Sequence, residues 1–274
     1  MTPKSKPGKS NFYLSKWFLD VIGPNGEAYI FYAAELKWHA LTVHYTSSLQ
    51  YTTAGGVHSQ SRFSHVKMPV QTGNSITWAD ERMGVSGRWE ARSPPIEARI
   101  FESDEGCLDW FCYQPAATVT LHINETVLQG SGYAEQLVLT APPWIIPMDE
   151  LRWGRFGSDA HTLVWIELRH RQPQQWLWYN NEPIHNCVIG DEQLLLPDQQ
   201  LVLELNRSTV LESEKKIFSV VQSLIRFLPG FNKVMPLKFL MADETKWLSG
   251  GRLLYNGAPI AEGSAIHEWV HFQK

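Results

Sequence analysis

The chain has little cysteine, little charge and no long apolar run. Its 274 residues contain three cysteines, Cys107, Cys112 and Cys187, and none belongs to a CxxC pair. That spacing excludes a zinc finger or ribbon, and an odd, low count fits a reduced compartment rather than a disulfide framework. Charged residues make up 19% and the formal net charge is −4. A nucleic-acid binder carries a clustered basic excess, and here the basic residues gather only in the short tail at Lys4, Lys6 and Lys9. No nucleic-acid partner is expected. No stretch approaches the roughly 18 apolar residues of a membrane span. The polar N-terminus, MTPKSKPGKSN, lacks the apolar core of a signal peptide, so a cytoplasmic location is expected. Peripheral membrane contact through exposed aromatics stays open.

Catalytic signatures are also scarce. No phosphate loop or dinucleotide fingerprint occurs. Ser131 sits in QGSGYA, which is not the G-x-S-x-G nucleophile elbow. His39, His44, His161 and His267 are scattered, without the paired spacing of a metal site. The expectation is neither metal nor cofactor.

Aromatic side chains are plentiful: twelve Trp, nine Tyr and twelve Phe. They lie in short segments of period-2 alternation divided by turn residues, the pattern of antiparallel β-structure. NFYLSKWFLDVIG reads as a strand, Gly23-Pro24-Asn25-Gly26 as a hairpin turn, and EAYIFYAAELKWHALTVHY as the next strand. Residues 46–66, rich in Ser, Thr and Gly, read as a long loop or weak hairpin. Short strands follow near 66–71, 75–82, 85–92, 96–103, 107–113, 117–128 and 130–141. The second half repeats the style, with one exception. SEKKIFSVVQSLIRFLPG carries apolar residues at helical spacing, which predicts a helix near 214–228.

The central stretch is QGSGYAEQLVLTAPPWIIPMDELRWGRF, residues 129–156. Tyr133, Glu135, Leu137 and Leu139 share one strand face. Gly130, Gly132 and Ala134 share the other and leave room for a backbone or ring to approach. A carboxylate among leucines needs a partner or a function. Arg152 and Arg155 are the local candidates for a structural ion pair with Glu135. The other reading is an acid kept neutral by an apolar wall.

The chain also resembles itself. Gly263-Ser264 precede Glu268 as Gly130-Ser131 precede Glu135, at an offset of 133 residues. Trp17 and Trp153 open the two halves in similar style. The pattern predicts a duplicated β domain with one inward acid closing each half.

The segments SKWFLDVIGPNGEAYIFYAAEL, GSGYAEQLVL, PPWIIPMDELRWGRF, LVWIEL, KWLSGGRL and AIHEWV resemble one known group. It is the hydroxyneurosporene synthase-like superfamily (carotenoid 1,2-hydratase, AttH-like), and the likeness runs from residue 12 to 272. The resemblance implies an all-β chain of two lipocalin-like (calycin) antiparallel β-barrels with a short helix in the second. The barrels would span 12–150 and 151–274 after a flexible tail at 1–11. It also implies a cavity near the barrels' contact. The activity implied is that of a cofactor-independent cyclase, isomerase or hydratase. Its partner would be an apolar, unsaturated natural product: a terpenoid, carotenoid or polyketide.

Protonating an alkene needs an acid among apolar neighbours, and the resulting cation is held by aromatic faces. Candidate catalytic acids are Glu135, Asp20 and Glu268. Candidate substrate-binding residues are Trp38, Tyr133, Trp144, Trp153, Arg152, Arg155, Trp165, Glu167 and Trp178. Two further readings remain. One is a non-catalytic carrier of apolar ligands. The other is a carbohydrate-active β-sandwich, since paired carboxylates with many Trp also suit sugars.

Overall fold

The computed structural model describes residues 11–213 and 242–272. The helix expected near 214–228 and the tail at 1–10 lie outside the described residues. The chain divides into two compact units, Met1–Ile146 and Pro147–Lys274.

The first unit contains β1 (Phe12–Ile22), β2 (Ala28–Trp38), β3 (Leu41–Thr52), β4 (Gly56–Arg62) and β5 (Val70–Thr72). It continues with β6 (Ser75–Asp80), β7 (Val85–Ala91), β8 (Ile96–Ser103), β9 (Gly106–Ile123) and β10 (Thr126–Leu139). They form one antiparallel sheet ordered β4-β3-β2-β1-β10-β9-β7-β6-β5, with β8 paired to β9. The sheet curls into a half-barrel, so that residues of distant strands meet in one core.

The second unit has β11 (Glu150–Gly157), β12 (Thr162–Arg169), β13 (Gln174–Tyr179), β14 (Glu182–Ile184) and β15 (Val188–Ile189). It adds β16 (Gln193–Leu196), β17 (Leu201–Leu205), β18 (Thr209–Ser213), β19 (Ala242–Tyr255) and β20 (Ala258–Phe272). Its order, β14-β13-β12-β11-β20-β19-β17-β16-β15 with β18 on β19, repeats the first unit strand for strand. Even the short 3₁₀ turns recur at the same place, Glu81–Met83 before β7 and Pro197–Gln199 before β17. Two curled antiparallel sheets, each lipocalin-like, take the place of the single sandwich on which the carbohydrate reading rested.

Each interior is lined by one face of its strands. In the first unit Trp17, Leu19, Val21, Phe31, Trp78, Trp89 and Ala134 meet inside. Gly132 is needed there because a Cβ would strike the Asp20 carbonyl oxygen and Val119. Trp89 Nε1 donates to that same carbonyl at 2.8 Å, so the small face does admit a backbone and a ring. In the second unit Phe156, Leu163, Trp165, Leu177, Leu203 and Leu253 fill the interior.

One sequence alternative is decided and two expectations need correction. Residues 46–66 take the hairpin alternative over the loop: β3 and β4 pair from Thr46–Arg62 to Thr52–Gly56. The strands expected at 107–113 and 117–128 are largely one strand, β9, whose register with β10 shifts between Gln114 and Ala117. Pro115 lies in that irregular stretch, where a missing N–H costs no ladder bond. Finally, the acids are not inward. Glu135 pairs with Phe18, while their neighbours Ala134 and Leu19 line the core. Glu268 stands three residues from the inward Ala265, and so on the opposite face.

Candidate functional site

The outer face of β10, β9 and β1 is itself buried. Asp20 and Tyr133 are 0% exposed, Cys112 0% and Trp110 1%. Register brings them together: Asp20 lies opposite Tyr133, Phe18 opposite Glu135, and Glu135 opposite Cys112. Glu135 is half-buried among them. Its Oε2 accepts from Trp110 Nε1 at 2.5 Å and from the Tyr133 hydroxyl at 2.6 Å. Phe18 meets the Tyr133 ring edge-on at 6.0 Å and the Tyr32 ring at 5.4 Å.

Burial pushes the Tyr133 phenol well above its usual 10, helped by the neighbouring Cys112 and Glu135. The Cys112 thiol is likewise pushed well above 9, chiefly by burial. Both therefore keep their protons at neutral pH, and Tyr133 acts as a donor. The result is a carboxylate whose position is fixed by two donors and whose surroundings are aromatic.

The second unit places a different constellation at the equivalent positions. Lys246, 1% exposed, lies opposite Glu268. Its Nζ reaches Glu244 at 2.9 Å, Glu268 at 3.0 Å and Glu212 at 3.1 Å. Desolvation, only partly offset by Lys246 and reinforced by Glu268 and Glu212, pushes Glu244 up to about 7. Glu268 is thus part of an ion cluster.

Arg152 and Glu167 point into the second interior, where the first unit has Trp17 and Ala33. Arg152 Nη1 binds Asp191 at 2.5 Å and its Nε lies 3.9 Å from Glu167. Glu167 accepts from Arg169 Nε at 2.6 Å and Gln175 Nε2 at 2.7 Å. Arg152 therefore serves carboxylates of its own unit. Trp165 lies against Gly154, where a Cβ would strike its ring. His267 stacks on Trp247 at 5.2 Å, and its Nε2 is 2.8 Å from Ser249 Oγ. Burial pushes His267 down to about 4, so the ring is neutral at pH 7. The cavity beside these groups measures about 10 Å³, room for about one water.

The remaining candidates separate. Trp38 and Trp144 pair at 6.3 Å, with Phe12 against Trp144 at 6.1 Å, at one end of the β1–β2 hairpin. Trp153, Arg155 and Trp178 are buried on the outer face of the second sheet. Sequence reasoning missed Trp110, Cys112, Lys246, Glu212 and Glu244. The Glu244–Lys246 alternation was visible; the cross-strand partners were not. Among the described residues no cluster of His, Cys, Asp and Glu suits a metal ion. Among them, too, no helix is long and apolar enough to cross a membrane.

Solved structures share this architecture. The chain is similar to a protein assigned as AttH from Nitrosomonas europaea, at 8% identity and a TM-score of 0.59, covering 100% of this chain and 97% of that one. It is similar to CghA at 11% identity and a TM-score of 0.55, covering 96% and 89%. Kievitone hydratase from Nectria haematococca matches at 12% identity and a TM-score of 0.53, covering 97% and 91%. No family model and no curated protein matches the sequence. The chain has the AttH-like double lipocalin fold.

Proposed function

We propose that the chain is a cofactor-independent enzyme of the cyclase, isomerase or hydratase kind, acting on an apolar, unsaturated small molecule. Its reaction centre is Glu135 with Tyr133 and Trp110. The observation that carries this reading is the double anchoring of Glu135 Oε2 by Trp110 Nε1 and the Tyr133 hydroxyl on an aromatic face. That arrangement costs two buried donors and fixes one oxygen, which suits a group that must meet a substrate in one orientation.

In the acid form Glu135 gives its proton to an alkene carbon, whose π pair becomes the new C–H bond. The face of Phe18 stabilises the cation left on the other carbon. In a hydration, water adds to that cation and its surplus proton returns to the Glu135 carboxylate. In a cyclisation, a second double bond adds to it to close a ring, and the new cation loses a neighbouring C–H proton to the same carboxylate. The fold shared with kievitone hydratase adds support. The carrier reading has less. A calyx ligand needs roughly 300–1,000 Å³. The first interior is filled by Trp17, Phe31, Trp78 and Trp89, and the cavity beside Arg152, Trp165 and His267 in the second measures about 10 Å³.

The test is Glu135→Gln assayed on a panel of terpenoid, polyene and polyketide substrates, with melting temperature measured on the same sample. The expected result is a loss of turnover of roughly 10²–10⁴-fold at unchanged melting. A large fall in melting with turnover surviving in the folded fraction would show a structural Glu135 instead.

A further inference from the structure

A groove of about 520 Å³ runs along the outer face of the first unit, away from the core-facing side of β5, β6, β7 and β9. Two rungs of the sheet make its floor. Register sets Val70, Thr77, Arg88 and Thr120 side by side, and Ala79, Ser86 and His122 in the next rung. All of these residues are exposed except Thr120, which is half-buried. Lys67 and Met68 form the rim. Their segment is held in place because Trp78 Nε1 donates to the Lys67 carbonyl at 3.0 Å.

The composition is one-sided. The titratable side chains among the described lining residues are Lys67, Arg88 and His122, with no carboxylate. This occurs in a chain whose net charge is −4. Thr77, Ser86 and Thr120 add hydroxyl donors. Val70, 57% exposed, and Met68 add an apolar wall. Arg88 is steadied by Ser75 Oγ at 2.8 Å and by Glu90, outside the groove lining, at 3.2 Å. Both members of that ion pair are about half exposed, and such pairs contribute little, so a ligand anion can compete for the guanidinium.

We propose that this groove binds a small organic anion with an apolar body, a medium-chain carboxylate. The carboxylate meets Arg88 and Lys67 with the threonine hydroxyls, and the chain lies along Val70 and Met68. The volume falls in the range of small-ligand pockets, and charge-assisted bonds to a guanidinium supply the preference for an anion. The site is separate from Glu135, so this proposal stands or falls independently of the reaction assigned to that centre.

Octanoate and 1-octanol, matched in chain length, are the probes for calorimetric titration of the whole protein. Octanoate should bind about tenfold or more tightly than octanol, a preference worth about one charge-assisted bond. The preference should shrink as salt rises from about 50 to about 500 mM. Lys67→Ala/Arg88→Ala should bring octanoate down to the octanol level and leave octanol unchanged. Thr120→Trp, which fills the floor beside Arg88, should abolish both. Unchanged melting temperatures show that these surface variants are folded. Equal binding of the two probes to the unaltered protein overturns the proposal. So does undetectable octanoate binding, or octanoate binding that survives the double variant or the Trp.

Discussion

Glu135 and Glu268 occupy the same place in the register of their two sheets. Glu135 stands between Phe18 and Cys112, and Glu268 between Trp153 and Lys246. Glu135 accepts from the neutral donors Trp110 and Tyr133, and Glu268 lies against the buried Lys246 ammonium. Duplication set the positions, and the cross-strand neighbour decides what each acid can do.

Lys246→Met should therefore be far more damaging than its conservative volume suggests. It leaves Glu212, Glu244 and Glu268 without their shared cation. Breaking such a buried pair costs about 3–5 kcal/mol. Urea denaturation measures it; a shift below about 0.5 kcal/mol, as expected of a neutral surface change, would show that the cluster contributes little.

The same cluster gives a pH signature. Glu244 is raised from 4.5 to about 7, so the folded state holds this proton more tightly than the unfolded chain does. Its stabilisation is full below the unfolded value and is lost as pH rises through the folded one. Glu244→Gln should flatten the fall in stability between pH 4.5 and about 7, read from urea midpoints across that window. A slope equal to that of the unaltered protein would assign the proton elsewhere.

His267 gives the opposite slope. Its folded value is lowered from 6.5 to about 4, so stability is full above 6.5 and is lost as pH falls through about 4. His267→Phe should keep the stack on Trp247 and remove that acid-side loss. Ser249→Ala should cost about 1–3 kcal/mol, because the Arg207 N–H, 3.1 Å from Ser249 Oγ, loses its acceptor. Melting curves at several pH values separate the two effects.

Gly154→Ala should destabilise the second unit by about 1–3 kcal/mol, because the new methyl overpacks against the Trp165 ring and the His267 side chain. Gly257→Ala, at a turn with φ of 78° and no nearby atoms, probes backbone strain alone. Trp fluorescence should change for the first and not the second. An unperturbed emission spectrum in Gly154→Ala would place the Trp165 ring elsewhere.

Alternation and turn chemistry are enough to mark β1 and most later strands, although the one strand expected over 27–45 is β2 turning into β3 at His39-Ala40, and the Gly-Ser…Glu echo marks the duplication. Those signals are local: period 2 and a turn sequence need only neighbouring residues. The side of the sheet was not local. In β1 both faces are apolar, Trp17, Leu19 and Val21 on one and Phe18 and Ile22 on the other, and both are buried. A two-sided strand carries no sign of which face encloses the core, so the sequence alone does not tell that the acids face outward. For the same reason the likeness of Trp153 to Trp17 misleads. Counted from the paired glutamates, its equivalent is Phe18, and Trp17 corresponds to Arg152. Only the curl of the sheet decides inside from outside. Only cross-strand register, between residues 25 apart in sequence for Trp110 and Glu135, decides which donor each carboxylate meets.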